Sequence, residues 1–306
     1  MRKVIFDCDP GLDDAIAMLL LCQSEFELLG VTTVAGNHVI EQTTKNALDL
    51  LTLYGCPEVP VAKGAERPLI QDLHIADFVH GPNGLGEVDL PAAAREAESE
   101  HAVEWMKKTL LQSDDKVTLV AIGPLTNLGL LFRMYPEIKE KIEMIAIMGG
   151  STSFGNISAV AEANVGHDPE AAQIVFSSGL PIQMSGLNLT FKMFIYDEEI
   201  EFIENMGTKV SDAAAKFLWY HAAFAKRMGL DVDQMHDTCA VAPLLYPDLF
   251  SGRKAKVTVD TGWGPGRGQT IADFRAADDE ANVLVFEDVD RDEVMKKVFD
   301  AVEAYS

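Results

Sequence analysis

Short apolar runs rich in β-branched residues alternate along this chain with longer amphipathic stretches, and that alternation is its strongest constraint on fold. Val4–Phe6 reads as a first strand, followed by a helix from about Leu12 to Cys22. Gly30–Val34 is a second strand, followed by a helix from about Ile40 to Leu53. Val117–Ile122 is a strand leading to a helix that begins near Leu125, and Met144–Met148 is a strand ending at Gly149-Gly150. Asp168–Ser178 reads as a helix with an Asp-Pro start, and Pro181–Met184 as the next strand. Strands separated by helices in this way build βαβ units and a mostly parallel sheet. Further on, helices are expected at 197–206, 211–228, 238–246 and 291–303, with strands near 256–259 and 283–286. No linker, repeat or low-complexity tract divides the 306 residues, so residues 1–306 are read as one domain. The expected fold is α/β: a Rossmann-like, mostly parallel central sheet flanked by helices, with the active site at the C-terminal strand ends.

In an open parallel sheet, ligands sit beyond the carboxyl ends of the strands. The exits of five expected strands share a character. They read Asp7-Cys8-Asp9, Ala35-Gly36-Asn37, Gly123-Pro124, Gly149-Gly150 and Gly186-Leu187-Asn188. Glycines admit a ligand close to the backbone, and the polar residues supply contacts, so these exits point to one composite site.

The first exit carries the most chemistry. Asp7 and Asp9 share a face of the strand. Pro10-Gly11 turns the chain, and Asp13 and Asp14 fall in the first turn of the following helix, where the macrodipole favours negative charge. Two like charges about 4 Å apart cost roughly 4 kcal/mol at an effective dielectric near 20, and a bound cation would remove that cost. A single carboxylate would suffice as a helix cap; four within eight residues exceed that need. No His or Cys cluster accompanies them, so the ligands are hard oxygens, suited to Ca²⁺ or Mg²⁺ rather than Zn²⁺. A strand ending in Asp-x-Asp also opens haloacid-dehalogenase-type phosphatases. Here the usual hydroxyl residue after it is missing, and Asp13-Asp14 has no part in that scheme.

The net charge of −23, with no Lys/Arg-rich run, argues against nucleic-acid or anionic-membrane partners. Cys8, Cys22, Cys56 and Cys239 lack CxxC spacing and fit reduced thiols in a cytoplasmic protein. The opening MRKVIFDCDP is too short and too charged for a signal peptide, and the longest apolar stretch, Ala15–Cys22, falls well short of a membrane span.

DCDPGLDDA resembles the DxDxGxDD signature of the inosine-uridine-preferring nucleoside hydrolase family. Six further segments resemble that family in order: Val34-Ala35-Gly36-Asn37, His80-Gly81-Pro82-Asn83-Gly84-Leu85-Gly86, Ile122-Gly123-Pro124-Leu125-Thr126-Asn127, Met148-Gly149-Gly150, Gly155-Asn156 with Ala161-Glu162-Ala163-Asn164, and His236-Asp237. The resemblance implies a Ca²⁺-dependent hydrolase of ribonucleosides, serving purine or pyrimidine salvage as a homodimer or homotetramer. It implies that Asp9, Asp14, Asp237 and the main-chain oxygen of Ile122 bind Ca²⁺, with Asp9 also the general base on a metal-held water. Asp13, Asn37 and Asn164 would hold the ribose hydroxyls, and Met148, Asn156 and Glu162 would lie near the 5′-hydroxyl. Asp7 would support the turn. His236 is the candidate acid for the departing base, and His80 a candidate contact to it.

Such residues suit the chemistry. Breaking an N-ribosidic bond builds positive charge on the sugar, which a carboxylate-rich pocket stabilises. The family commonly has an aromatic residue at the position of Ala163, so the base pocket is expected to differ here. Phe224, with Arg227 and Met228 nearby, and Trp263 are the candidates for contacting the base. The alternatives are hydrolysis of a modified-base N-riboside, or a non-catalytic nucleoside- or ribose-binding protein on the same scaffold.

Overall fold

A computed structural model describes residues 1–305. Its elements, in chain order, begin with β1 (Lys3–Cys8), α1 (Leu12–Cys22), β2 (Glu27–Thr33), α2 (Ile40–Leu53), β3 (Val61–Lys63), α3 (Asp77–His80) and α4 (Ala102–Gln112). Then come β4 (Val117–Ala121), α5 (Thr126–Met134), β5 (Ile142–Met148), α6 (Ala163–His167), α7 (Pro169–Phe176), β6 (Ile182–Ser185) and α8 (Leu187–Thr190). The last third holds β7 (Phe194–Ile195), α9 (Asp197–Glu204), α10 (Lys209–Arg227), β8 (Asp233–Gln234), α11 (Thr238–Leu245), β9 (Phe250–Val259), β10 (Thr270–Asp273), β11 (Val283–Val289) and α12 (Arg291–Glu303).

Nine strands form one sheet in the order β10-β9-β11-β6-β5-β4-β1-β2-β3. From β11 to β3 every neighbouring pair is parallel, and only β9 runs against its neighbours. The chain therefore steps outward from β1 to β3, crosses back, and steps outward the other way from β4 to β6. That reversal lies between β1 and β4, the topological switch point where doubly wound sheets bind ligands.

Alternation along β1 feeds two cores. Val4, Phe6 and Cys8 pack into the layer built by α1, α2, α10, α11 and α12. Ile5 packs into the opposite layer with residues of α4, α5 and α7. Phe6 is fully buried, worth about 2–3 kcal/mol of transfer free energy. β1 is thus clamped from both faces, and its carboxyl end has little freedom to move.

Several elements go beyond the sequence expectations, short α3, α6, β7, α8 and β8 among them, and four others show the physical reasons. β3 is three residues long, below the length at which a pattern shows. α4 follows the charged segment 95–101, yet buries Ala102, Val103, Trp105, Met106 and Leu110 at helical spacing. β9 begins at Phe250 instead of near 256 because its first half faces solvent through charged residues. β10 pairs along β9 at the sheet edge.

Candidate active site

The site begins where β1 ends, at the switch point. Asp9 is buried between the exits of β2 and β4. A Cβ at Gly36 would stand 2.2 Å from its Oδ2, and one at Gly123 would stand 2.4 Å from its Oδ1. Both exits therefore need glycine for the carboxylate to fit. The Asn37 backbone N–H donates to Asp9 Oδ2 at 2.7 Å. Asp9 Oδ1 is buried with no hydrogen-bond partner among the described residues, and such an atom costs free energy unless a ligand meets it.

Asp14 takes two backbone donors at the start of α1, from Gly11 at 3.0 Å and Asp9 at 3.2 Å. It thus does cap its own helix, but it also faces Asp237, which arrives from just before α11. One carboxylate oxygen from each of Asp13, Asp14 and Asp237 lies within 4.8 Å of the others. Asp9 stands outside that tightest group and borders it. No Lys or Arg pairs with any of these carboxylates among the described residues.

Burial, then repulsion from Asp14, pushes Asp9 well above the usual carboxylate range. Burial, then Asp13 and Asp14, does the same to Asp237. Asp14 is pushed up to about 7 by burial and then Asp13. A buried carboxylate group without a Lys or Arg partner, all hard oxygens and with one oxygen orphaned, fits a divalent cation of the Ca²⁺ or Mg²⁺ kind. Asp7 sits beneath this group. Its Oδ1 accepts from Thr32 Oγ1 at 2.5 Å and Asn127 Nδ2 at 2.8 Å, and burial lifts its carboxyl to about 7. It braces the strand exits, as the expected supporting role requires.

The residues expected around ribose divide into two kinds. Asn37 Nδ2 donates to the Asp9 backbone carbonyl at 3.2 Å and to Asp14 Oδ2 at 3.1 Å, so the side chain ties the end of β1 to the Asp14 carboxylate while its backbone N–H holds that of Asp9. Asn164 Nδ2 donates to the carbonyls of Ile122 at 2.7 Å and Met148 at 3.0 Å, which places the expected Ile122 oxygen in the same pocket and leaves Asn164 Oδ1 free. Glu162 is buried and caps α6, with its carboxylate accepting from the backbones of Gly150, Asn164 and Val165. It holds the fourth strand exit in shape. Asn156 lies exposed in the loop before α6 with no side-chain hydrogen bond.

Opposite the carboxylates stand imidazoles. His80 Nδ1 accepts from the Leu12 backbone N–H at 3.1 Å, and burial pushes His80 down to about 4. It is therefore neutral, with its proton on Nε2. His236 Nδ1 lies 2.7 Å from Thr190 Oγ1, and burial lowers it from its ordinary value. The sequence reading gave His221 no role, yet it is part of this face. Its Nδ1 lies 2.9 Å from Asp233 Oδ1, and its ring runs nearly parallel to those of His80 and Phe224. Burial opposes its charge, but Asp233 and then Asp13 hold it up at about 9. Burial likewise opposes ionisation of Asp13, yet His221, His236 and His80 keep its carboxyl below the usual range. A sequence signal for His221 existed: it falls three residues before Phe224, on the same helical face. Trp263 is 75% exposed under the Arg267 guanidinium, so nothing directs it to the pocket.

The fold and this site are those of an α/β protein with a buried acidic cluster at its switch point, and comparison with known proteins says to which class it belongs. The family described as inosine-uridine preferring nucleoside hydrolase matches residues 4–296. The pyrimidine-specific ribonucleoside hydrolase RihA of Photobacterium profundum is 43% identical over 294 residues, covering 95% of each chain. RihA of a Shewanella species is 42% identical over 311 residues, covering 100% of this chain and 97% of its own. The solved purine-preferring ribonucleoside hydrolase of Gardnerella vaginalis superposes with a TM-score of 0.94 at 32% identity, covering 99% of both chains. The chain belongs to the inosine-uridine preferring nucleoside hydrolase family. Its activity is ribonucleoside hydrolysis, the cleavage of an N-glycosyl bond.

Proposed function

We propose that the chain hydrolyses ribonucleosides to free base and ribose with Ca²⁺ held by Asp9, Asp14, Asp237 and the main-chain oxygen of Ile122. The observation that carries this reading is the orphaned, buried Asp9 Oδ1 at the switch point, beside carboxylates that no Lys or Arg pairs with among the described residues. When bound, the cation supplies Lewis acidity that makes a water easier to deprotonate.

The chain's own residues do the rest. Asp9 accepts the proton of the attacking water, its other oxygen being fixed by the Asn37 backbone. Asp13, Asn37 and the free Oδ1 of Asn164 hold the ribose hydroxyls and orient C1′. Met148, Asn156 and Glu162 flank the 5′-hydroxyl end. His236 gives a proton to the departing base, while His80 and Phe224 contact it. The carboxylates stabilise the positive charge that grows on the sugar.

Pyrimidine ribonucleosides are the proposed first substrates, because the RihA relatives at 42–43% identity are named pyrimidine-specific. A cytoplasmic homo-oligomer is part of this proposal; the net charge of −23 disfavours nucleic-acid and anionic-membrane partners, and among the described residues no helix is long and apolar enough to cross a membrane.

A panel of purine, pyrimidine and modified-base nucleosides, read by free ribose, tests the reading. The wild type should release ribose from at least one, fastest from a pyrimidine nucleoside. A folded Asp9→Ala variant should lose about 10³-fold or more in kcat. A folded variant with wild-type turnover would sink the assignment.

A further inference from the structure

Three histidines face Asp13 from three separate elements, and each is anchored by its Nδ1. His80, at the end of α3, is held by the Leu12 backbone; His221, on α10, by Asp233 of β8; and His236, before α11, by Thr190. No protein atom is hydrogen-bonded to any of the three Nε2 atoms among the described residues. His80 and His221 lie 6.1 Å apart between ring centroids with planes 15° apart, and Phe224 continues the series at 6.5 Å and 10°. Tyr220, the neighbour of His221, fills the space against Gly81 and Gly86, where a Cβ would stand 2.9 Å from its hydroxyl and 2.7 Å from its ring, respectively. α10 is thus locked onto the loop that carries His80.

Asp233 is buried, and neither of its oxygens has an aligned hydrogen-bond donor among the described residues. The charge on His221 is therefore what answers it. A buried carboxylate spent on one side chain that lines the site, yet that neither the cation nor ribose is expected to touch, needs a purpose.

We propose that the His221–Asp233 pair is a positioning device for the departing base: Asp233 fixes the His221 ring, and His221, stacked on His80, keeps the free Nε2–H of His80 available to the base. The inference rests on the hydrolase reading above and adds a residue pair to it. His221 is a positioning residue, acting through His80. The titratable groups that face it are Asp233, Asp13, His80 and His236.

The test compares a nucleoside, which needs help at its base, with an aryl riboside whose phenolate leaves without a proton. In His221→Asn the ratio of kcat on uridine to kcat on 4-nitrophenyl riboside should fall tenfold or more, with KM for uridine within about threefold. Asp233→Asn, which leaves the imidazole in place, should shift the ratio the same way by a smaller factor. A second readout needs no activity: nitrogen NMR of the His80 ring. The wild type should show one Nε2–H tautomer, held by the Leu12 N–H, and in both variants the His80 ring signals should shift and broaden as its stacked neighbour is lost or loosened. If the wild type released no ribose, the hydrolase reading would fail, and the NMR comparison would still decide the pairing. Two folded variants that keep the ratio within twofold and leave the His80 signals unchanged would overturn the proposal.

Discussion

The two sides of this site are built by opposite means. The carboxylate side comes from strand exits. Asp9 is wedged between Gly36 and Gly123, Asp14 is held by two backbone N–H groups, and Asp7 is tied to β2 and α5. The imidazole side comes from α3, α10 and the segment before α11, each ring pinned at Nδ1 and open at Nε2. Rigid acids serve what all N-ribosides share: the sugar, the growing positive charge and the attacking water. Imidazoles and aromatics on helices serve what differs, the base. Changes on the first side should therefore cost all substrates alike, and changes on the second should sort substrates from one another.

The largest expected effect is on stability, and it isolates the carboxylate side. Burial lifts Asp7 and Asp14 to about 7, well above the value near 3.9 of an unfolded chain. The folded state then binds more protons than the unfolded one, so stability is greatest below pH 4 for these groups and is lost as pH rises through 7. For Asp7 the full cost, reached between about pH 4 and pH 7, is on the order of 4 kcal/mol, and Asp14 adds to it in the same direction. Chemical denaturation of the chelated protein between pH 5 and pH 8 should show roughly two-thirds of this fall, and saturating Ca²⁺ should reverse the share of Asp14, the carboxylate it would contact. A chelated protein equally stable at both pH values would break the contrast.

On the imidazole side the effects are smaller and selective. His236→Ala should lower kcat about 100-fold, roughly 2.7 kcal/mol, with different factors for purine and pyrimidine nucleosides. Equal rates to wild type on both would remove its acid role. Phe224→Ala should raise KM about three- to tenfold, as loss of a ring contact to the base predicts. Trp263→Ala should leave kcat/KM within twofold, because its ring faces solvent; steady-state kinetics on one nucleoside checks both.

The same divide explains what could be read from the sequence. The carboxylate side was legible because local rules fix it: alternation along β1, a Pro10-Gly11 turn and acidic residues in the first turn of α1. α1, α2 and α12 were expected within a residue of where they lie, since α2 and α12 carry a regular apolar face and α1 is an apolar run that starts after the Pro10-Gly11 turn. The joining of β1 to β4 at the switch point, which brings Ile122 and Asn164 beside Asp9, follows from strand order. No local pattern states that order. His221 and Asp233 were missed for the same reason. They are twelve residues apart, and only the return of β8 against β7 places the carboxylate under the ring. Glu162 carried a local signal, two residues before Asn164, but its capping of α6 became visible only with the backbone in place.

The central claim is that the buried carboxylates are a cation site on which turnover depends. Ribose release from uridine by one preparation, measured before chelation, after exhaustive chelation and after return of Ca²⁺, tests it most directly. The account predicts a loss of about 10³-fold or more on chelation and recovery on adding Ca²⁺. Turnover that survives complete removal of divalent cations would contradict it.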